Sequence, residues 1–161
     1  MRAAVLTVSD RASAGTMADE SGPAVRMLLA AAGFEVSDVA VVPDERDRIA
    51  AFVVAAAEDH ALVVTTGGTG LGPRDVTPDA TRPLLDYEVP GLAEQMRAVG
   101  LRSTPMAALS RSLAGVRGRT LIVNLPGSVR GATESLEAIV PVLGHAVGLL
   151  AGHTRHGAQG G

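Results

Sequence analysis

The 161-residue sequence predicts an α/β fold, a three-layer α/β/α arrangement around a mostly parallel sheet. Three observations predict it. Short apolar runs at 3–8, 35–42 and 61–66 suit buried strands, and two segments between them carry apolar residues at helical spacing. That order of strand, helix, strand, helix, strand implies parallel strands joined by right-handed helical crossovers. A later pair of runs, separated only by Arg117-Gly118-Arg119, adds a hairpin to the sheet.

Taken in order, Ala3-Ala4-Val5-Leu6-Thr7-Val8 reads as a strand that empties into the polar loop from Ser9 to Asp19. Ser21 and Pro23 look like the cap and start of a helix, since Val25, Leu28, Leu29 and Ala32 fall at i, i+3, i+4 and i+7 and Gly33 stops it. A second strand is predicted from Glu35 to Val42. Ile49, Phe52, Val53 and Ala56 mark the apolar face of a second helix, and Ala61 to Thr66 the third strand. Thr77-Pro78 suggests a cap and first position for a helix running to about Leu85, and another helix follows Pro90-Gly91. Leu109 to Val116 and Thr120 to Leu125 form the hairpin. In the apolar C-terminal stretch Pro141 predicts two helical pieces, because proline clashes with the preceding turn. The expected layout is one unit over 1–152 and a disordered polar tail over 153–161.

Composition removes several kinds of chemistry. Without cysteine there are no disulfides, thiolate metal sites or thiol nucleophiles. All fourteen Lys and Arg residues are Arg, so lysyl intermediates and the lysine of a Walker-type loop are excluded too. A net charge of −3 and three aromatics give little with which to follow a nucleic-acid backbone or stack on bases, so no nucleic-acid partner is expected. No apolar run matches a membrane span and the start lacks an export signal, which predicts a cytoplasmic protein with no membrane association. The histidines, at 60, 145, 153 and 156, show no compact metal-ligand spacing.

The most informative segment runs from Thr65 to Pro78. Gly67, Gly68, Gly70 and Gly72 lie between a buried strand and a helix, where they allow the backbone to approach a ligand and turn N–H groups toward it. Such a loop suits phosphate, although it is neither GxGxxG nor GxxxxGK[ST]. A plain glycine-rich turn fits the same residues. Likewise Asp44, with Asp47 three residues on, could cap the second helix. Asp75 could close a side-chain turn on its own backbone, and Ser110 and Arg111 could lie on an exposed strand face.

Thr-Thr-Gly-Gly-Thr-Gly followed by Pro-Arg-Asp-Val-Thr-Pro-Asp-Ala-Thr, here Thr65 to Thr81, resembles the central signature of the molybdopterin-binding, MogA/MoaB-type family, which includes one domain of gephyrin. Val8-Ser9-Asp10-Arg11, Val42-Pro43-Asp44-Glu45, Leu109-Ser110-Arg111-Ser112 and Asn124-Leu125-Pro126-Gly127 resemble further family segments in the same order. The likeness extends from about Ala3 to Gly152. One departure follows it: Val129 stands where the family usually has proline.

The resemblance implies the MogA-like fold and the activity of a molybdopterin adenylyltransferase, which moves AMP from ATP to the terminal phosphate of molybdopterin with Mg²⁺ and releases pyrophosphate. It implies that Asp44 and Asp75 are the functional aspartates and metal-holding groups. Ser9, Asp10, Gly67, Gly68, Thr69, Gly70 and Arg74 would meet the nucleotide phosphates, and Ser110, Arg111, Pro126 and Gly127 the pterin. A homotrimer and a molybdenum-insertion protein as partner are also implied. A non-catalytic pterin carrier of the same family, or an assembly protein keeping only the fold, are the rivals.

Overall fold

The computed structural model describes residues 1–153, so the predicted tail, apart from His153, lies outside the described residues. Seven strands form one sheet: β1 (Arg2–Val8), β2 (Glu35–Val36), β3 (Ala40–Val42), β4 (Leu62–Thr66), β5 (Tyr87–Glu88), β6 (Ala114–Arg117) and β7 (Thr120–Leu125), in the order β2-β1-β4-β7-β6-β5, with β3 also on β1. β1, β2, β3, β4 and β7 run parallel, while β5 and β6 are antiparallel to their neighbours. The helices are α1 (Asp10–Ser13), α2 (Ser21–Ala31), α3 (Arg46–Ala57), α4 (Thr77–Thr81), α5 (Pro90–Ser103) and α6 (Val129–Leu150), with 3₁₀ turns at Arg82–Leu84 and Pro105–Leu109.

The central strands are buried on both faces, and their side chains alternate between two cores. Ala3 and Val5 of β1, Leu62 and Val64 of β4, and Leu121, Val123 and Leu125 of β7 pack with α2, α5 and α6. Ala4, Leu6 and Val8, with Val63 and Ile122, face α3 and α4 on the other side. The predicted three layers are therefore present, and the carboxyl ends of β1, β3, β4 and β7 share one edge of the sheet. The turns that leave those ends carry Ser9-Asp10, Pro43-Asp44, the glycine-rich loop and Pro126-Gly127.

Local expectations differ in several places. The strand predicted from Glu35 to Val42 is two short strands: the Ser37 N–H still donates to the Ala3 carbonyl (3.2 Å), and pairing with β1 resumes only at Ala40. Ser21 is no cap: its hydroxyl is buried against that of Thr66 (2.8 Å), and Asp19 accepts the N–H of Gly22 (3.1 Å) at the start of α2 instead. Gly33, at φ +95°, stops α2 in the left-handed region as its position suggests. Thr77 is the first residue of α4 with Val76 as N-cap; its hydroxyl is fully buried beside Gly68 and has no hydrogen-bond partner among the described residues. Leu109 to Leu113 do not join the hairpin, which begins at Ala114.

Pro141 does not divide the last helix. It sits inside the continuous 22-residue α6 on the exposed side, as does Glu137, so the carbonyl that proline leaves unpaired faces water. Contrary to the reading that no segment matches a span, α6 is long and apolar enough to cross a membrane by length and composition. Its stripe of Leu136, Ile139, Leu143 and Val147 is nevertheless buried against the sheet and its neighbours.

Candidate active site

Seven of the predicted residues line one polar cleft of about 810 Å³ at the carboxyl edge of the sheet: Ser9, Asp10, Asp44, Gly67, Gly68, Asp75 and Gly127. Asp44 leaves the end of β3 and Asp10 the end of β1, which pair through Val8 and Val42. The Asp10 N–H donates to Asp44 Oδ2 (2.8 Å) and the Asp44 N–H to Asp10 Oδ1 (3.0 Å), so each aspartate fixes the other. Asp44 therefore does not cap α3, whose N-cap is Glu45 without a side-chain bond. Its Oδ1 lies beside Gly68 and carries no protein hydrogen bond among the described residues.

Ser9 is used locally, accepting the Ala12 N–H (3.1 Å) as the cap of α1. Arg74 grips Asp10 through both carboxylate oxygens, at 3.0 and 2.8 Å. Asp75 Oδ2 accepts the Gly72 N–H (2.9 Å), the local turn that sequence alone allows, while its side chain still borders the cleft.

The glycine-rich loop follows from backbone needs. Gly67 and Gly68 take φ +94° and +68°, and a Cβ on Gly67 would collide with the Val8 carbonyl oxygen. Gly127 lies flat on Gly67, since a Cβ there would sit 3.2 Å from the Gly67 Cα. Ser128 then caps α6 by accepting the Gly131 N–H (3.0 Å), and Val129 becomes the first helical residue. That is the position where proline is favoured for its fixed φ but where its ring is not required. The missing family proline thus leaves the last loop capped and closed.

Five carboxylate residues line the polar cleft, Asp10, Asp19, Glu20, Asp44 and Asp75, against Arg11 as the basic member. Burial pushes the Asp44 carboxyl above its ordinary range, with the nearby Asp10 and Asp75 charges adding to the rise. The Arg74 guanidinium holds Asp10 below that range. A wall of this charge repels a polyphosphate unless a cation intervenes. Hard carboxylate oxygens from Asp44 and Asp75 fit a small divalent cation such as Mg²⁺. Among the described residues no three acidic or histidine side chains come together as a metal-holding group.

A second, mostly apolar cavity of about 310 Å³ opens on the other side of the loop, with Thr69, Gly70, Ser110 and Pro126 in its lining. Ser128 borders both cavities. Arg74 and Arg111 border neither; Arg111 turns toward the protein and lines a smaller neighbouring pocket.

Asp19 and Arg97 were not visible as candidates in the sequence. Asp19 accepts the Thr7 hydroxyl (2.8 Å) at the cleft wall. Arg97 projects from α5 into the apolar cavity and donates to the carbonyls of Ser110 and Ser112, at 3.3 and 2.8 Å. An acid ahead of a helix start could have signalled Asp19; nothing in the spacing of α5 signals Arg97.

The family model described as a probable molybdopterin binding domain matches residues 4–145. The chain belongs to this molybdopterin-binding family. A molybdopterin adenylyltransferase of Helicobacter pylori strain J99 is 40% identical over 153 residues, covering 92% of this chain and 87% of that protein. Gephyrin of Dictyostelium discoideum is 41% identical over 157 residues, and the chain spans 22% of its length. It spans 49% of a bifunctional molybdenum cofactor biosynthesis protein of Chlorobaculum tepidum, at 43% identity. Among solved structures, the molybdopterin biosynthesis enzyme MoaB of Thermus thermophilus superposes with a TM-score of 0.88 at 57% identity, covering 94% of this chain and 96% of that one. The Thermus thermophilus structure shares the fold described above.

Proposed function

We propose that the protein is a molybdopterin adenylyltransferase of molybdenum cofactor biosynthesis, acting as the unit 1–152. The single observation that supports this most is the pair of clefts on the two sides of one glycine-rich loop: one acidic and polar, suited to a metal-bound triphosphate, the other mostly apolar and serine-lined, suited to a pterin.

In this reading a terminal phosphate oxygen of molybdopterin attacks the α-phosphorus of ATP. One P–O bond forms, the bond to the β-phosphate breaks, and pyrophosphate carries away the electron pair. Alignment and charge neutralisation suffice, with no covalent protein intermediate. Asp44 and Asp75 would hold Mg²⁺, which neutralises phosphate charge when bound. The amides of Gly67 and Gly68 would steady the phosphates beside Ser9 and Asp10 in the polar cleft, whereas Thr69 and Gly70 line the apolar cavity and Arg74, held by Asp10, borders neither. Ser110 and Pro126 would border the pterin, while Gly127 lines the polar cleft. A homotrimer, a cytoplasmic setting and delivery to a molybdenum-insertion protein belong to the same proposal.

The test is pyrophosphate release from ATP with and without molybdopterin. Release that requires molybdopterin and magnesium is the expected result. ATP left intact while molybdopterin binds would reduce the protein to a carrier.

A further inference from the structure

Arg111 is where the site holds more than the resemblance implies. Its backbone N–H donates to the Thr69 carbonyl (2.8 Å). Its guanidinium then reaches three further groups: Nε donates to the Gly70 carbonyl (2.9 Å), Nη2 to the Asp75 carbonyl (2.6 Å), and Nη1 and Nη2 together to the Asp79 carboxylate (3.2 and 3.1 Å). The two side-chain-bound carbonyls stand at the two ends of the loop's outer strip, and Asp79 lies in the first turn of α4 that follows it. One planar fork thus ties the start of the strip, its end and the next helix to the segment ahead of β6.

The consequence lies in peptide geometry. In a trans peptide the C=O and the following N–H point opposite ways. Drawing the Thr69, Gly70 and Asp75 carbonyls toward Arg111 therefore aims the N–H groups of Gly70, Leu71 and Val76 away from it. The Asp75 backbone is fixed by the same bonds, and its carboxylate borders the polar cleft. The Arg111 charge holds Asp79 below the ordinary carboxylate range, so the fork meets an ionised partner.

We propose that Arg111 is a positioning residue for adenylyl transfer: it holds the loop from Thr69 to Asp75 and thereby sets the Asp75 carboxylate at the wall of the polar cleft. The inference rests on the adenylyl-transfer reading, and it gives Arg111 a task other than contact with the pterin.

Arg111→Lys keeps the charge but loses the planar fork. It should fold, show faster amide exchange in peptides covering 67–76, and lose roughly a hundredfold in kcat, the cost of a small misplacement near reacting groups. The molybdopterin KM should change little. Asp79→Asn, which keeps an oxygen acceptor, should shift exchange and kcat in the same direction by less, and it carries the test if Arg111→Lys fails to fold. Adding methylguanidinium to Arg111→Ala should recover part of the activity.

A raised molybdopterin KM with unchanged kcat would overturn the proposal in favour of ligand contact. Unchanged exchange and unchanged kcat per folded molecule, with only a lower Tm, would overturn it in favour of a purely structural role. If the parent protein releases no pyrophosphate, the adenylyl-transfer reading fails. The exchange comparison, made without substrate, still decides whether the loop is held by Arg111.

Discussion

Asp10 and Asp44 hold each other across the ends of β1 and β3, each donating its backbone N–H to the other's carboxylate at 2.8 and 3.0 Å. One oxygen of Asp44 is consumed by this exchange, and the other stays beside Gly68 at the cleft. The pair thereby commits one Asp44 oxygen to structure and leaves the other open at the cleft.

Asp44→Asn tests that separation. An asparagine carbonyl can still accept the Asp10 N–H, so the fold should persist with a Tm near that of the parent. Without the charge, magnesium-dependent activity should fall by roughly a hundredfold or more. Parallel melting curves and pyrophosphate assays at saturating ATP check both halves, and full activity would return Asp44 to a structural role.

The pH dependence follows from opposite displacements. Asp44 binds its proton more tightly in the folded protein than in the unfolded chain, because of burial and then the charges of Asp10 and Asp75. Its ionisation therefore costs stability as pH rises through the interval between the unfolded and folded values. Asp10 is displaced downward by Arg74, so its favourable contribution is present above the unfolded value and is lost as pH falls through the folded one. In the metal-free protein the Asp44 carboxyl should accordingly titrate above the range of an ordinary aspartate, as followed by its carboxyl carbon NMR shift. In Asp10→Asn, which removes the neighbouring charge but keeps the backbone donor, that titration should move to lower pH. A titration that stays in place would show that the Asp10 charge does not act on Asp44.

Gly67→Ala should harm both stability and activity. A positive φ costs a non-glycine residue roughly 1–3 kcal/mol, and the new Cβ also meets the Val8 carbonyl. For a chain of this size each kcal/mol lowers Tm by about 2–4 °C. Gly91→Ala, inside α5 with nothing within 4 Å of the new Cβ, is the control and should melt no lower than the parent.

Gly144→Ala should do the reverse. This glycine lies on the exposed face of α6 with nothing within 4 Å of an added Cβ, so the change should stabilise the isolated chain by roughly 0.5–1 kcal/mol. Calorimetry and light scattering on the same samples would show the rise. A lower Tm accompanied by a smaller particle would place this face against another chain instead.

The layers were legible because β1, β4 and β7 are short runs buried on both sides and α2 and α3 show a clear helical period. Pairings that depend on tertiary position were not. Ser21 and Thr77 have the chemistry of caps, yet both are drawn into buried contacts beneath the loops. Pro141 could not reveal that its turn faces water. The glycine-rich segment, Asp44 and Asp75 stood out from residue type and order. Asp19 and Arg97 join the two clefts only because the sheet order brings α2 and α5 to them, and the inward turn of Arg111 depends on carbonyls some 40 positions away.

The flat seat of Gly127 on Gly67 makes the turn after β7 a poor place for innovation. A bulkier or longer connection there would pry open both chambers together, so selectivity can be retuned one chamber at a time only from their outer rims. For the apolar chamber that rim is α5 and the 3₁₀ turn at Pro105–Leu109, whose Met106 and Leu109 side chains are solvent-facing.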